Sequence, residues 1–168
     1  MVQWIIILGV ATGMRTMTAM AALCWFMWFA LLPVTGWTFW TANIITVAVF
    51  TVFAFGEYYV DTLPSTPSRK SWVGWIARLT VGGLVGSIVS ASYAEPLAGG
   101  FLLALIGVVI GTLGGYSLRV HIAKLVGRDF PVAVSESALA IVLSVTALWL
   151  IHADIARQLA RHVLEMHL

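Results

Sequence analysis

Few side chains here can do ionic chemistry, and they recur near the ends of apolar runs. Glu57 and Asp61 are four residues apart, so both carboxylates face one side if a helix continues that far. Two carboxylates so placed repel unless cations lie between them. Arg15, Arg69 and Arg78 are the cations available, and Arg119 and Glu136 flank later apolar runs. Glu136 stands between Ser135 and Ser137, where an acid suits the first turns of a helix. The expected chemistry of these seven residues is binding: carboxylates for a cation or a proton, guanidinium groups for an anion. The alternative use of the same charges is structural, as ion pairs that lock helix ends together.

Covalent chemistry is not indicated. The chain has no Gly-x-Ser-x-Gly elbow, no His-Glu-x-x-His and no glycine-rich phosphate loop. Nothing pairs a nucleophile with a base, so no enzyme is expected. His121 lacks a spaced partner, and His162 and His167, five apart, suit one helix face poorly. Neither a metal nor a cofactor is expected. Cys24 is the single cysteine and has no partner for an intramolecular disulfide. A net charge of +2, dispersed over loops, argues against nucleic acid.

The elements that must position these residues are apolar. The 168 residues are 61% hydrophobic and 10% charged, against about 25% charged in soluble domains. Several stretches reach bilayer-spanning length with almost no charge, so the lipid bilayer is the expected environment. The leading residues MVQW lack the basic region of a signal peptide, and are expected to stay in the mature protein. The expected fold is all-α: a polytopic transmembrane bundle of about five helices over residues 1–152. An amphipathic interfacial helix over 153–168 follows, with Ile155, Leu159, Val163 and Met166 on one side.

The first apolar segment, 4–32, is too long for one straight span: about 43 Å against a hydrocarbon core of about 30 Å. A break at Thr12 and Gly13 is expected, giving a half-segment over 3–12 and a spanning helix over 16–32. The break brings Arg15 to a membrane boundary, level with the carboxylates, and spares the roughly 2.5 to 3.5 kcal/mol of a charge in mid-bilayer. The remaining spans are expected over 39–60, 72–94, 97–118 and 132–151. Arg69 and Lys70 fall in one connection, and Arg119, Lys124 and Arg128 in another. Basic connections 61–71 and 119–130 are therefore expected on the cytoplasmic side of a bacterial inner membrane.

Glycines four apart let helix backbones approach in lipid. Gly9 with Gly13, Gly82 with Gly86, and Gly107, Gly111 and Gly115 have this spacing, so a tight bundle is expected, with a homo-oligomer as its assembly. LGVATG (8–13) echoes IGVVIG (106–111); the basic connections imply that these two segments run in opposite directions, as in an inverted repeat.

The blocks GMRTMTA, GEYYVDTLPSTPSRKSWVGWIARLTVGGLVGS and SESALAI resemble, in the same order, bacterial membrane proteins grouped as domain-of-unknown-function family 4126. The analogous stretches of that family read Gly-x-Arg, Glu-x-x-x-Asp-x-x-Pro and a late Glu-Asp pair. Here the late pair is Glu136 with Ser137, one carboxylate short. The resemblance implies a small bacterial membrane protein and carries no established activity. The function expected from the residues is a small-solute or ion transporter or channel component with a charged cavity toward the cytoplasm. The alternative is a scaffold or accessory subunit.

Overall fold

An apolar chain without water must close its backbone hydrogen bonds within itself, and a helix does so locally. The computed structural model describes residues 1–60, 72–126 and 129–166. They form α1 (Val2–Met14), α2 (Thr18–Trp28), α3 (Ile44–Val60), α4 (Trp72–Ser92), α5 (Leu97–Val126) and α6 (Asp129–Met166), with a 3₁₀ helix over Gly36–Ala42 ahead of α3. No strand occurs among the described residues.

Among the described residues, three helices are long and apolar enough to cross a membrane: α4, α5 over Leu97–Ile122, and α6 over Phe130–Met166. The 3₁₀ helix and α3, bent by 65° at their junction, raise the number to four if counted as one span. The protein is thus an all-helical integral membrane bundle with three such helices, or four, where five were expected. The difference lies at the N-terminus. Residues 4–32 do break, but at residues 15–17 rather than at Thr12 and Gly13, and α1 and α2 have 13 and 11 residues. At 1.5 Å per residue neither reaches about 20 Å, short of a bilayer core.

Contacts at their far ends show what the two short helices do. Trp4 Nε1 donates to Asp154 of α6 (3.1 Å), and the Leu31 carbonyl meets His152 Nδ1 of α6 (2.5 Å). Ser92, the last residue of α4, donates to the Pro33 carbonyl. The start of α1 and the chain just after α2 therefore sit at the same end of the bundle. Between them the chain descends through α1, turns at residues 15–17 and returns through α2. It is a re-entrant helical hairpin.

Glycine makes room for that hairpin. A Cβ placed on Gly107 or Gly111 would fall within 3.0 Å of the α1 backbone at Ile6, Gly9 or Val10. One on Gly9 or Gly13 would fall within 3.0 Å of the α5 backbone. Gly13, expected to break the segment, is instead a contact surface. The pairing runs Gly9 to Ala104 and Gly107, then Gly13 to Val108 and Gly111, so α1 and α5 are parallel. The two echoing segments pack against each other in the same direction, which overturns the inverted-repeat reading. On an adjoining face of α5, Gly86 and Gly100 bring α4 in antiparallel, and Gly82 receives Val108 and lies near Thr12. Gly115 is also buried.

Two other connections differ from expectation. Most of 119–130 is helix: α5 runs to Val126, so Arg119 and Lys124 stand on it. The segment RVHIAKLV is polar but has no glycine or proline to stop a helix, and Pro131 falls in the first turn of α6, where a missing N–H costs nothing. Residues 153–166 are no separate helix either. They continue the 38-residue α6, which meets no glycine or proline after Pro131. The expected connection 61–71, with Asp61 and Arg69, lies outside the described residues.

Alanine at Gly107 or Gly111 is expected to destabilise the bundle by about 1 to 3 kcal/mol through forced separation of α1 and α5. Alanine at Gly114, which has nothing within 4 Å, is expected to stay within about 0.5 kcal/mol of the parent. Thermal unfolding of the three variants in detergent checks the contrast.

Candidate functional site

A broken helix inside a membrane exposes backbone groups that have no partner of their own. The last carbonyls of α1 and the first amides of α2 are such groups, and each costs several kcal/mol if left unpaired in hydrocarbon. Side chains from two other helices, α3 and α5, converge on the break and answer them.

Glu57, at the inner end of α3, supplies the amides. Its Oε1 accepts from Thr16 N (2.8 Å) and its Oε2 from Met17 N (2.9 Å). Met17 is the N-cap of α2, so one carboxylate with both oxygens engaged takes the place of a capping side chain. Its negative charge also suits the positive end of the α2 dipole. On the α1 side, Arg15 N reaches back to the Ala11 carbonyl (2.8 Å) and Thr112 Oγ1 of α5 donates to the Gly13 carbonyl (3.2 Å). Arg15 itself is extended, with φ −139° and ψ 109°, which ends α1 and turns the chain.

The Arg15 side chain is fully buried. Its Nη2 donates to the Ala133 carbonyl in the second turn of α6 (3.1 Å), and its guanidinium carbon lies 5.5 Å from the centre of the Tyr58 ring. A cation over an aromatic face gains most where water is excluded. The Tyr58 hydroxyl is in turn 2.8 Å from Thr18 Oγ1 in the first turn of α2. Arg15 thus ties the hairpin tip to α6 and, through Tyr58, to α3.

The other expected residues fall around the same end of the bundle. Arg119 of α5 and Glu136 of α6 form an ion pair at 3.8 Å, with Glu136 buried. Arg78 is buried on α4, one turn before the Gly82 that lies near Thr12. Arg15, Glu57, Arg78, Arg119 and Glu136 therefore do gather at the level of the hairpin tip. Glu57 is held there by two backbone amides rather than by a guanidinium. Among the described residues no cluster of three or more metal-ligating side chains occurs.

A cleft opens beside this arrangement. It measures about 360 Å³ and is lined by Thr16, Met17, Phe53, Glu57 and Ala77. The break in the hairpin, a partly exposed carboxylate and α4 thus share one hollow. A second hollow of about 300 Å³ lies over α2 between α3 and α6, apolar apart from Thr18, Thr51 and Tyr58. The largest described, about 570 Å³, is bounded by Trp37 and by α4 and α5 and is almost wholly apolar. Of these three, the first is the one with a carboxylate on its wall.

Sequence reasoning missed Tyr58, Thr112 and the two amides of residues 16 and 17. The position of Tyr58 next to Glu57 was a signal, since adjacent residues of a helix end share a level. The amides carry no sequence signal, because every residue but proline has one. At the opposite end, Asp154 holds Trp4, the amino group of Met1 (3.7 Å) and Arg157 (2.6 Å), a staple between α1 and α6 that the sequence did not reveal. Compared with known proteins, the chain matches no family model, no curated protein and no solved structure.

Tyr58→Phe removes only the hydroxyl and is expected to cost about 0.5 to 1.5 kcal/mol. Tyr58→Leu also removes the ring beneath Arg15 and is expected to cost about 0.5 to 2 kcal/mol more. Unfolding of the two variants side by side in detergent reads the difference, and equal losses would refute the ring's role.

Proposed function

We propose that the protein moves a small ion or polar solute across the membrane, with the cleft at the hairpin tip as its site. The observation that carries this reading is the coincidence of a re-entrant helix break, an ionisable Glu57 and a hollow of about 360 Å³ at one place. Broken helices in transporters meet near a substrate site, where half-helix ends and freed backbone groups face the ligand. An ionisable residue at membrane depth marks such pathways. Arg119 and Lys124 stand on the last turns of α5, toward the hairpin-tip end of the bundle, which on the positive-inside rule is the cytoplasmic one. On that orientation, in a bacterial inner membrane, the hairpin enters from the outer side and its tip approaches the cytoplasm. The resemblance to domain-of-unknown-function family 4126 agrees with a small bacterial membrane protein and adds no activity.

The second reading, a scaffold or accessory subunit, draws on a specific observation of its own. Both oxygens of Glu57 and the guanidinium of Arg15 serve the protein's own backbone, as staples would.

Flux measurement with the purified chain in liposomes separates the two. With a panel of inorganic ions and small polar solutes outside, the parent protein is expected to carry at least one. Glu57→Gln, which keeps the size but loses the charge, is expected to slow that flux about tenfold or more, the equivalent of one lost charge-assisted hydrogen bond. No flux of any solute by correctly folded parent protein rejects the transport reading in favour of the scaffold.

A further inference from the structure

The backbone of the helix break is held to α3 by one carboxylate, beside the Tyr58–Thr18 and Trp25–Thr51 side-chain hydrogen bonds that also join α3 to α2. The two acceptor atoms of this carboxylate serve two consecutive amides of the helix break, Thr16 at 2.8 Å and Met17 at 2.9 Å. No other hydrogen bond joins Glu57 to the hairpin among the described residues. Glu57 is also partly exposed and lines the cleft, so its carboxyl is not sealed inside the bundle.

From this geometry we propose that Glu57 is a proton-binding site, and that its charge state decides whether the backbone amides of residues 16 and 17 are held by α3, a latch at the helix break. The inference rests on the transport reading for its purpose: it names the proton as the ion that drives or gates movement through the cleft.

The step is a simple proton transfer. The Glu57 carboxylate takes one proton on one oxygen and becomes a neutral carboxylic acid; no other bond forms or breaks covalently. The oxygen that takes the proton becomes a poor acceptor, so the amide facing it loses its partner. The remaining amide keeps a neutral hydrogen bond in place of a charge-assisted one, which is roughly half as strong. The favourable meeting of a negative charge with the α2 N-terminus disappears at the same time. Deprotonated Glu57 holds both amides; protonated Glu57 lets residues 16 and 17 turn toward the cleft they already line.

The charged and titratable neighbours decide the setting in which this proton binds. From the hairpin comes Arg15, from α3 Tyr58, and from α4 Arg78, next to the Ala77 that lines the cleft. From α5 and α6 comes the pair of Arg119 and Glu136. Arg15 is bound to Ala133 and covered by Tyr58, so the tip stays tied to α6 when Glu57 lets go. Tyr58 keeps its contact with Thr18 as well, so the release is local to the amides of residues 16 and 17, and the hairpin does not leave the bundle.

The test is a titration of the full chain in lipid nanodiscs, read by NMR at the backbone amides of Thr16 and Met17 and at the Glu57 side-chain carboxyl carbon, from about pH 4 to about pH 9. All three signals are expected to move with one shared midpoint, and Glu57→Gln is expected to abolish the step at both amides. Flux in liposomes over the same pH range is expected to change about tenfold or more across that midpoint in the parent and to be flat in Glu57→Gln. Amides that do not titrate, or a midpoint at the amides different from that of the carboxyl carbon, overturn the latch whether or not Glu57→Gln folds. A persistent step in Glu57→Gln overturns it as well. A shared midpoint in protein that carries no solute upholds the latch and rejects transport, whereas flux without a shared midpoint rejects the latch and leaves transport standing.

Discussion

A helix that breaks inside a membrane must find partners for the backbone groups it uncovers, and this requirement organises the protein. The break at residues 15–17 leaves amides and carbonyls that hydrocarbon cannot solvate. Glu57 from α3 takes the amides, Thr112 from α5 takes a carbonyl, and Arg15 binds the backbone of α6. Two helices far apart in sequence, α3 and α5, answer parts of one deficit, and the Arg15 side chain at the break reaches a third, α6. The charges that look out of place in an apolar chain gather where the backbone is irregular.

The second constraint is steric. A re-entrant hairpin adds a helix to the bundle interior, and α1 is admitted only because α5 carries glycine where side chains would stand. Adjoining faces of α5 receive α1 and α4, each through its own glycines, which makes α5 the axis of the bundle. Close backbone approach raises the number of atoms in contact, and in lipid that packing, not hydrophobic burial, drives helices together. The same approach fixes depth. With Gly9 and Gly13 seated on α5, Arg15 falls level with the start of α6, and the site is placed by the register of a glycine pair.

Much of this was legible as composition and spacing. Membrane residence followed from charge content and run length. The glycine pairs named the contact surfaces, and the length of residues 4–32 demanded a break, although Gly13 proved to be packing and Arg15 the turn. Arg15, Glu57, Arg78, Arg119 and Glu136 were picked out as residues whose cost needs a reason, and they do meet at one end. What misled was direction. A break can send the chain onward or back, and residues 1–32 have the same composition in either case. The two echoing glycine segments read as inverted for that reason, and they are parallel because the chain turns back.

What the sequence by itself determined was therefore the solvent of this protein, its helical nature and the identity of its costly residues. These depend on hydropathy and spacing, which are local. Only the tertiary structure decided that α1 and α2 form a hairpin and that Glu57 serves two amides instead of an arginine. The reason is that every residue except proline offers the same amide and carbonyl. A side chain announces its chemistry in the sequence, but its backbone partner is chosen by where the chain has been folded to lie.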